Sequence, residues 1–398
     1  MNYRNKKNLS NAGLQTKILH SQDRTNIGET SEAIFLNSGF CYNDAETAES
    51  RFNKTAPGFV YSRYSNPNLK NLENKLAILE NGESCCVTAS GMSAVFASIM
   101  CQIKAGDHLI ASSILFGSCH YIVNELLPKY GIEVTLVEGS SLDSWQQAFR
   151  KNTKVVFIET PANPNLAIVD IEMIAKLCSN YQAKLIVDNI FASPYCQRPL
   201  EFGADIVVYS TTKHLDGQGR TLGGAVIASK DFIENQFLPF QRHTGAALSP
   251  FNAWLISKSL ETFILRMQKH CENAHQIAKF LAEQKKIAIV LYPWLDSHPQ
   301  HQIATKQMLN GGAMIAFNIN GDKAKTFQFI NNLSIIDISN NLGDSKSLIT
   351  HPATTTHSNI NQEQQLKIGI SNNLCRLSVG IEDCQDLIDD LSFALSKI

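Results

Sequence analysis

Between Cys85 and Ser229 the sequence repeats one pattern, in which a short apolar run is followed by a longer segment. The apolar runs are continuous rather than alternating, which is typical of strands buried on both faces of a mainly parallel sheet. The longer segments between them are then helices that cover the two faces. The pattern predicts an α/β fold with a large, mainly parallel sheet. The predicted strands are CCVTA, HLIAS, EVTLVE, VVFIE, LIVDN, DIVVYS and AVIAS.

The segments before this region predict little regular structure. Met1 to Asn26 is polar and rich in asparagine, which indicates a flexible arm that orders, if at all, against another subunit. Ile34 to about Phe59 has few periodic apolar positions and is predicted to be an extended surface or interface segment.

The pattern changes again after the apolar region. Ser249 and Pro250 suit the start of a long helix, with Ser249 as its cap, and apolar residues keep helical spacing to position 281. Beyond Pro293, short strands alternate with helices, which predicts a smaller α+β domain. With a length of 398 residues, the chain is expected to divide into an N-terminal arm at 1–60, a large domain at 61–255 and a small domain at 256–398.

Composition argues against several classes of protein. The chain is 44% hydrophobic and carries a net charge of −1, so it has material for a core and no sign of a nucleic-acid partner. No apolar run is long enough to cross a bilayer, and no secretory signal follows the N-terminus. Ten cysteines lie without metal-ligand spacing. They indicate reduced, mostly buried thiols in a cytoplasmic protein without a metal site.

The strongest chemical signal lies in Val207–Ala228. A predicted strand ends in the hydroxyls of Ser210, Thr211 and Thr212, Lys213 follows at once, and a glycine-rich stretch comes after it. A lysine held between two strands can form an imine with a carbonyl cofactor, whose phosphate the hydroxyls can bind. The ordinary alternative is a solvated lysine in a turn.

Three further candidates lie where predicted strands end, which is where parallel sheets bind ligands. Gly91 precedes a helix whose first amides can bind an anion, although it also suits a simple turn. Asp188 ends an apolar run, where a buried carboxylate is costly without a partner such as a pyridinium N–H; a helix cap is the alternative. The Asn163 amide can bond to a ring hydroxyl, or it serves only the turn between two prolines.

Three charged or phenolic residues complete the set. Tyr61 and Arg63 alternate in sequence, so in an extended segment they point the same way and can clamp a phosphate; an exposed loop is the alternative. Arg376 lies in an apolar, strand-like run, where an unpaired charge is expensive. Its guanidinium suits a bidentate contact with a substrate carboxylate, and a structural ion pair is the alternative.

With these residues assembled, the chain resembles the Cys/Met-metabolism family of pyridoxal-phosphate enzymes, from about Thr30 to the C-terminus. The motifs that carry the resemblance are YSRYSNPN, TASGMSA, ETPANPN, LIVDN, YSTTKHLDGQGRTLGGAV, LGDSKSLITHPATTTH and CRLSVGIED. The resemblance implies pyridoxal 5'-phosphate as cofactor and the aspartate-aminotransferase-like fold, known as fold type I. It also implies a homo-oligomer, expected to be a tetramer built as a dimer of dimers.

The resemblance also implies a role for each candidate. Lys213 forms the imine with the cofactor, Asp188 pairs with its ring nitrogen, and Asn163 lies near its ring hydroxyl. Arg376 binds the substrate carboxylate. The residues that bind the phosphate are Gly91, Met92, Ser210 and Thr212, with Tyr61 and Arg63 from a neighbouring subunit. The implied catalytic residues are Lys213, Asp188 and Tyr61.

Two positions depart from the lyases of the family. The residue that stacks on the ring is usually tyrosine and here is Phe116, and a serine that precedes a Leu-Gly pair is here Asn341, expected to bind substrate. Both departures resemble the sulfhydrylase branch, which implies O-succinylhomoserine and sulfide as substrates and methionine biosynthesis as the setting. The alternatives within the family are an O-acetylhomoserine sulfhydrylase, a cystathionine γ-synthase and, disfavoured by Phe116, a methionine γ-lyase. Outside it, a non-catalytic binding protein and a nicotinamide-dependent dehydrogenase stay open, the latter without a proper glycine fingerprint.

Overall fold

The computed structural model describes residues 9–398 except 22–23, 26 and 139–140. Within these residues, the strands of the larger sheet are β1 Ser84–Thr88, β2 His108–Ser112, β3 Glu133–Val137, β4 Thr153–Glu159, β5 Lys184–Asp188, β6 Ile206–Ser210 and β7 Gly224–Ala228. Their order across the sheet is β1-β7-β6-β5-β4-β2-β3. The strands β2 to β6 pair in parallel, and β7 is antiparallel to β1 and β6. The predicted α/β fold with a mainly parallel sheet is confirmed.

The second sheet belongs to the C-terminal part of the described chain. Its strands are β8 Ile287–Leu291, β9 Met314–Ile319, β10 Asp337–Ile338, β11 Leu348–Thr350 and β12 Leu374–Ser378, in the order β10-β11-β12-β9-β8. Apart from the parallel pair β10 and β11, neighbouring strands are antiparallel. Helices pack on this sheet around the fully buried rings of Phe317 and Phe329. This is the smaller α+β unit that the sequence predicts.

Helices cover both faces of the large sheet and one side of the small one. In the described residues they are α1 Leu14–His20, α2 Ala45–Phe52, α3 Pro67–Glu80, α4 Gly91–Met100, α5 Gly117–Tyr121, α6 Leu127–Lys129, α7 Leu142–Ala148, α8 Ile171–Tyr181, α9 Ser193–Cys196, α10 Lys230–Phe232, α11 Leu238–Thr244, α12 Pro250–Leu260, α13 Phe263–Ala282, α14 His301–Gln307, α15 Lys323–Asn331, α16 Gln362–Lys367 and α17 Cys384–Ser396. Short π-helical segments lie at Ile122–Leu126 and Ile233–Phe237, and 3₁₀ turns at Pro199–Phe202 and Pro352–Thr354.

The prediction of one long helix from Pro250 was wrong, because the chain breaks into α12 and α13. At the break, Thr262 leaves the helical conformation and the carbonyl of Glu261 accepts a hydrogen bond from the Gln15 side chain at 2.8 Å. Ser249 makes no side-chain cap bond. The first half of α13 packs in the core of the large sheet and the second half in the core of the small sheet. The division at residues 255 and 256 stays a prediction.

Two N-terminal predictions were also wrong. Residues 14–20 form α1, whose Ile18 is fully buried against the core that α3 shares, so this part of the arm orders on its own chain. The segment predicted to be extended contains α2, which Asp44 caps by accepting from the Thr47 amide. Helix α2 buries no residue, so the apolar spacing that reveals a helix in sequence is missing from it. Residues 1–8, 22–23 and 26 of the arm lie outside the described residues.

A buried acid next to the large sheet predicts how stability depends on pH. Tyr209 donates to Glu80, and burial raises the pKa of Glu80 to about 8. The folded chain therefore retains a proton that the unfolded chain releases near pH 4.5. As pH rises from about 5 to 8, the free energy of unfolding should fall by up to about 1.4 kcal/mol per pH unit from this group. We expect Glu80→Gln, which cannot ionise, to gain stability over the natural chain across this range. Urea unfolding at pH 5.5 and pH 8 checks this.

The matched control for this prediction is Glu83→Gln. Glu83 accepts one backbone hydrogen bond, from the Lys230 amide, in an exposed environment. A stability difference between Glu80→Gln and the natural chain that is the same at both pH values would contradict the prediction.

Candidate active site

A cavity of about 240 Å³ lies beyond the carboxyl ends of β4, β5 and β6, and loops of the small domain close it. This is the edge at which parallel sheets bind ligands. The predicted site residues that line the cavity are Gly91, Met92, Phe116, Asn163, Asp188, Ser210, Thr212, Lys213 and Arg376. The structure therefore brings together side chains that are up to 285 positions apart in sequence, as the difference 376 − 91 gives.

Lys213 lies three residues after the end of β6 and lines the cavity. Its Nζ donates to Oδ1 of Asn341 at 2.6 Å, so Asn341 contacts the lysine, although Asn341 is not itself in the cavity wall. Burial, and then the positive charge of Arg376, lowers the pKa of Lys213 to about 8. At pH 7 about a tenth of this amine is thus neutral, far more than for an ordinary lysine, and the neutral form is the one that attacks a carbonyl or accepts a proton. Lys213 is not the solvated surface lysine of the ordinary alternative.

Two buried carboxyl groups lie side by side at the strand ends. Asp188 ends β5 and pairs in register with Glu159, the last residue of β4. Burial raises the pKa of Asp188 to about 7, while burial and then the Asp188 charge raise the pKa of Glu159 well above its usual range. Asp188 accepts from the Ile190 amide at 3.1 Å and does not cap α9, whose N-cap position is Ala192.

Glu159 is the residue that the sequence reasoning missed. The signal was present, since Glu159 ends the apolar run VVFIE as Asp188 ends the run LIVD. A charged residue at the end of a continuous buried strand is costly unless a nearby group needs it.

A helix N-terminus faces the same cavity. Helix α4 begins at Gly91, so the amides of Gly91 and Met92 lie in its first turn. Such amides have no partner within the helix and favour an anion. A Cβ atom on Gly91 would come within 2.7 Å of the Ser210 Cβ atom, so only glycine lets the helix end approach β6 this closely. Beside it, the Thr212 hydroxyl bonds to both backbone groups of Gly223.

Arg376 lies on β12 of the small sheet and is 1% exposed. Its guanidinium donates to Oδ1 of Asn163 at 3.0 Å and to the carbonyl of Asn340 at 2.9 Å. Its Nε has no partner among the described residues. Burial lowers the pKa of Arg376 only to about 10, so it stays charged at neutral pH. Arg376 is thus held by amides rather than by a carboxylate in contact with it, which leaves its charge available to an anionic ligand.

Tyr61 and Arg63 do not line this cavity. The Tyr61 side chain is 42% exposed, and the Arg63 guanidinium lies over the rings of Tyr61 and Tyr64 and donates to the Arg242 carbonyl. Within one chain these two residues therefore stand apart from the other predicted phosphate ligands.

The residues present fit pyridoxal phosphate. A buried carboxyl pair at Asp188 and Glu159 is costly without a neighbouring cation, and a protonated pyridine ring supplies one. The amides of Gly91 and Met92, with the Ser210 and Thr212 hydroxyls, form a cradle suited to a phosphate. The amine of Lys213 lines the same cavity and is the group that would react with the aldehyde of the cofactor.

Two other kinds of feature are missing from the part of the chain that the structure describes. It contains no group of three or more side chains that could bind a metal ion. None of its helices qualifies as a membrane-spanning segment.

Comparison with known proteins agrees with this fit. The family described as Cys/Met metabolism PLP-dependent enzyme matches residues 15–396. The O-succinylhomoserine sulfhydrylase of Mycobacterium tuberculosis H37Rv is 43% identical over 94% of this chain and 93% of its own. The L-methionine gamma-lyase of Fusobacterium nucleatum subsp. polymorphum is 42% identical over 97% of this chain and 98% of its own.

A solved structure shows the cofactor in such a fold. A Campylobacter jejuni protein assigned as an O-acetylhomoserine (thiol)-lyase carries N'-pyridoxyl-lysine-5'-monophosphate. It superposes with a TM-score of 0.92 at 32% identity, covering 96% of this chain and 99% of its own. The chain therefore belongs to the Cys/Met-metabolism family of pyridoxal-phosphate-dependent enzymes.

Proposed function

We propose that the enzyme catalyses a γ-replacement that converts O-succinyl-L-homoserine and sulfide into L-homocysteine and succinate. In this reaction the Cγ–O bond breaks and its electron pair leaves with succinate, while a bond forms between Cγ and the sulfur of hydrosulfide. The observation that carries the proposal is Phe116 in the cavity wall, at the position where the resemblance to the lyases of the family implies a tyrosine.

The cofactor, when bound, supplies an aldehyde for amines and a ring that withdraws electrons from the substrate carbons. The protein supplies the acid–base groups and the binding contacts. Lys213, with its pKa lowered to about 8, can take a proton from the substrate carbon next to the amine and return it elsewhere. The side-chain oxygen of Asn341 accepts a hydrogen bond from Nζ of Lys213 at 2.6 Å. Asp188 would pair with the ring nitrogen of the bound cofactor, and Arg376 would bind the substrate carboxylate.

Phe116 bears on which group leaves. A thiolate that departs from a thioether is a fairly strong base and gains from a nearby acid such as a tyrosine hydroxyl. A carboxylate is a weak base and departs with little such help. Because Phe116 places an apolar ring at this wall of the cavity, the site favours an activated ester such as O-succinylhomoserine over methionine.

The relatives support γ-replacement and γ-elimination almost equally, because the sulfhydrylase and the methionine gamma-lyase are 43% and 42% identical to this chain. Steady-state kinetics can separate them with the succinyl and acetyl esters, each with sulfide or cysteine, and with L-methionine alone. The highest kcat/KM for the succinyl ester with sulfide supports the proposal. A faster reaction with the acetyl ester would favour an O-acetylhomoserine sulfhydrylase. A faster reaction with cysteine than with sulfide would favour a cystathionine γ-synthase. A faster reaction with methionine alone would favour a lyase.

Phe116→Tyr tests the role given to the ring. The new hydroxyl enters the cavity and can protonate a departing thiolate, so kcat/KM for γ-elimination of methionine should rise about tenfold or more. The replacement reaction with the succinyl ester should change less than about threefold, because its leaving group needs no acid. Measuring both reactions on the same preparation checks this. Phe251→Tyr, at an exposed position, is the control. If kcat/KM for methionine elimination were unchanged in Phe116→Tyr, Phe116 would no longer support the proposed preference for the succinyl ester.

We also propose that Tyr61 and Arg63 bind the phosphate of the cofactor held by a neighbouring subunit in a homo-oligomer. Their separation from the cavity of their own chain, with Tyr61 partly exposed, supports this. A phenol and a guanidinium together suit a phosphate. The family resemblance extends the proposal to a tetramer in the cytoplasm.

A further inference from the structure

Glu159 contacts the two loops that carry cofactor-facing residues, although no step described above uses it. Its Oε2 accepts from the backbone amide of Phe116 at 2.7 Å, and its Oε1 accepts from the backbone amide of Asn163 at 2.7 Å. We propose that Glu159 is a positioning residue that fixes the ring of Phe116 and the amide of Asn163 around the cofactor. The proposal rests on the cofactor of the family and not on which homoserine ester the enzyme uses.

The need for an acceptor at this point follows from the local sequence. Pro161 and Pro164 have no N–H group. The Ala162 amide donates to the Ala167 carbonyl, and the Asn163 amide is left for Glu159. Asn163 is 4% exposed, so an amide without Glu159 would have poor access to water. A buried N–H without an acceptor is costly, and this cost keeps the loop on the carboxylate.

Glu159 itself stands on a rigid element. It is the last residue of β4, pairs in register with Asp188 of the neighbouring strand, and is 4% exposed. A contact that begins on a buried strand transmits the fixed geometry of the sheet to the loops above it. The Asn163 side chain in turn accepts from Arg376 at 3.0 Å, so the same carboxylate also supports the residue expected to bind substrate.

A glutamate side chain suits this role better than an amide or a shorter acid. Two backbone donors approach its two different oxygens. Glutamine offers one accepting oxygen and an NH₂ group that cannot accept from an amide. Aspartate keeps both oxygens but is one methylene shorter, so it cannot reach both loops. The two changes therefore separate the loss of one accepting oxygen from the loss of reach.

The test compares Glu159→Gln and Glu159→Asp with the natural full-length protein in two measurements that need no substrate. The first is the dissociation constant of pyridoxal 5'-phosphate, and the second is the visible circular dichroism of the bound cofactor, which reports how its ring is held. We expect both variants to bind the cofactor about tenfold more weakly, with a weakened dichroic band, because at least one loop loses its acceptor. Glu83→Gln, an exposed acceptor of one backbone bond, should stay within about twofold of the natural protein.

A Phe116→Ala background separates positioning from a general loss of structure. If Glu159 acts through the ring of Phe116, the loss of affinity caused by Glu159→Gln should shrink to less than about threefold once that ring is absent. If Glu159→Gln does not give folded protein, as judged by thermal unfolding, Glu159→Asp carries the same comparison. Cofactor affinity and dichroism equal to those of the natural protein in Glu159→Asp, or in both variants, would overturn the proposal, because a side chain too short to reach both loops would then serve equally well. Because no turnover is measured, this result is independent of the substrate assays.

Discussion

Replacing Lys213 with alanine is expected to lower turnover by at least about 10³-fold with every substrate the natural enzyme uses. In the proposed reaction the side chain supplies both the amine that condenses with the cofactor and the group that moves protons, and burial and Arg376 lower its pKa to about 8. Alanine keeps neither function. Steady-state rates and the visible absorbance of the bound cofactor measure the loss.

Two further proteins make this result specific. Lys213→Arg keeps a positive charge near Asn341 but cannot condense or exchange protons at neutral pH, so it should be as inactive as the alanine variant. Lys230→Ala, at an exposed position, should be as active as the natural enzyme. Reduction of the natural protein with borohydride, followed by peptide mapping, should place the cofactor on Lys213. Near-normal turnover in Lys213→Ala, or a reduced adduct on a different lysine, would refute the assignment.

Replacing Asp188 with asparagine is expected to have the second largest effect, a fall in kcat of about 10²-fold or more. Asparagine has nearly the same shape but no charge, so in the proposed pairing the ring nitrogen would lose the partner that keeps it protonated and electron-withdrawing. In the protein without cofactor, burial raises the pKa of Asp188 to about 7, and a cationic ring beside it would lower that value. Cofactor affinity should therefore fall together with kcat.

The measurement for Asp188 is a pair of titrations. Cofactor affinity of the natural protein should increase as pH rises through about 7, because the free carboxyl group loses its proton there. In Asp188→Asn this rise should be reduced. Asp389→Asn on the exposed face of α17 is the control and should leave both affinity and kcat unchanged. A kcat for Asp188→Asn within about threefold of the natural value would contradict the proposed pairing.

Local patterns in the sequence were sufficient for the main elements of the fold. The apolar runs that end at Asp188 and Ser210 are strands of one sheet, as predicted. The sequence pattern failed where burial did not follow a period. Helix α2 buries nothing, and at the break between α12 and α13 the Glu261 carbonyl accepts a hydrogen bond from Gln15, which lies 246 positions away.

The candidate site divides in the same way. Lys213, Asp188 and Arg376 stand out in the sequence because a charge in or beside an apolar strand is costly and needs a reason. Glu159 carries the same signal, but its two contacts involve backbone amides of loops 43 and 4 positions away, which no side-chain pattern records. The bond from Lys213 to Asn341 spans 128 positions and joins the loop after β6 to the loop after β10, so it too is invisible before the chain is folded.

By itself, the sequence determined the fold class and the family and predicted the cofactor lysine, because these follow from residue periodicity, from short motifs and from the cost of charges in apolar surroundings. Only the tertiary structure decided that Asn341 holds the lysine amine, that Glu159 holds two loops, and that Tyr61 and Arg63 lie away from the cavity of their own chain. The physical reason is that distances between residues far apart in the chain are set by how helices and sheets pack.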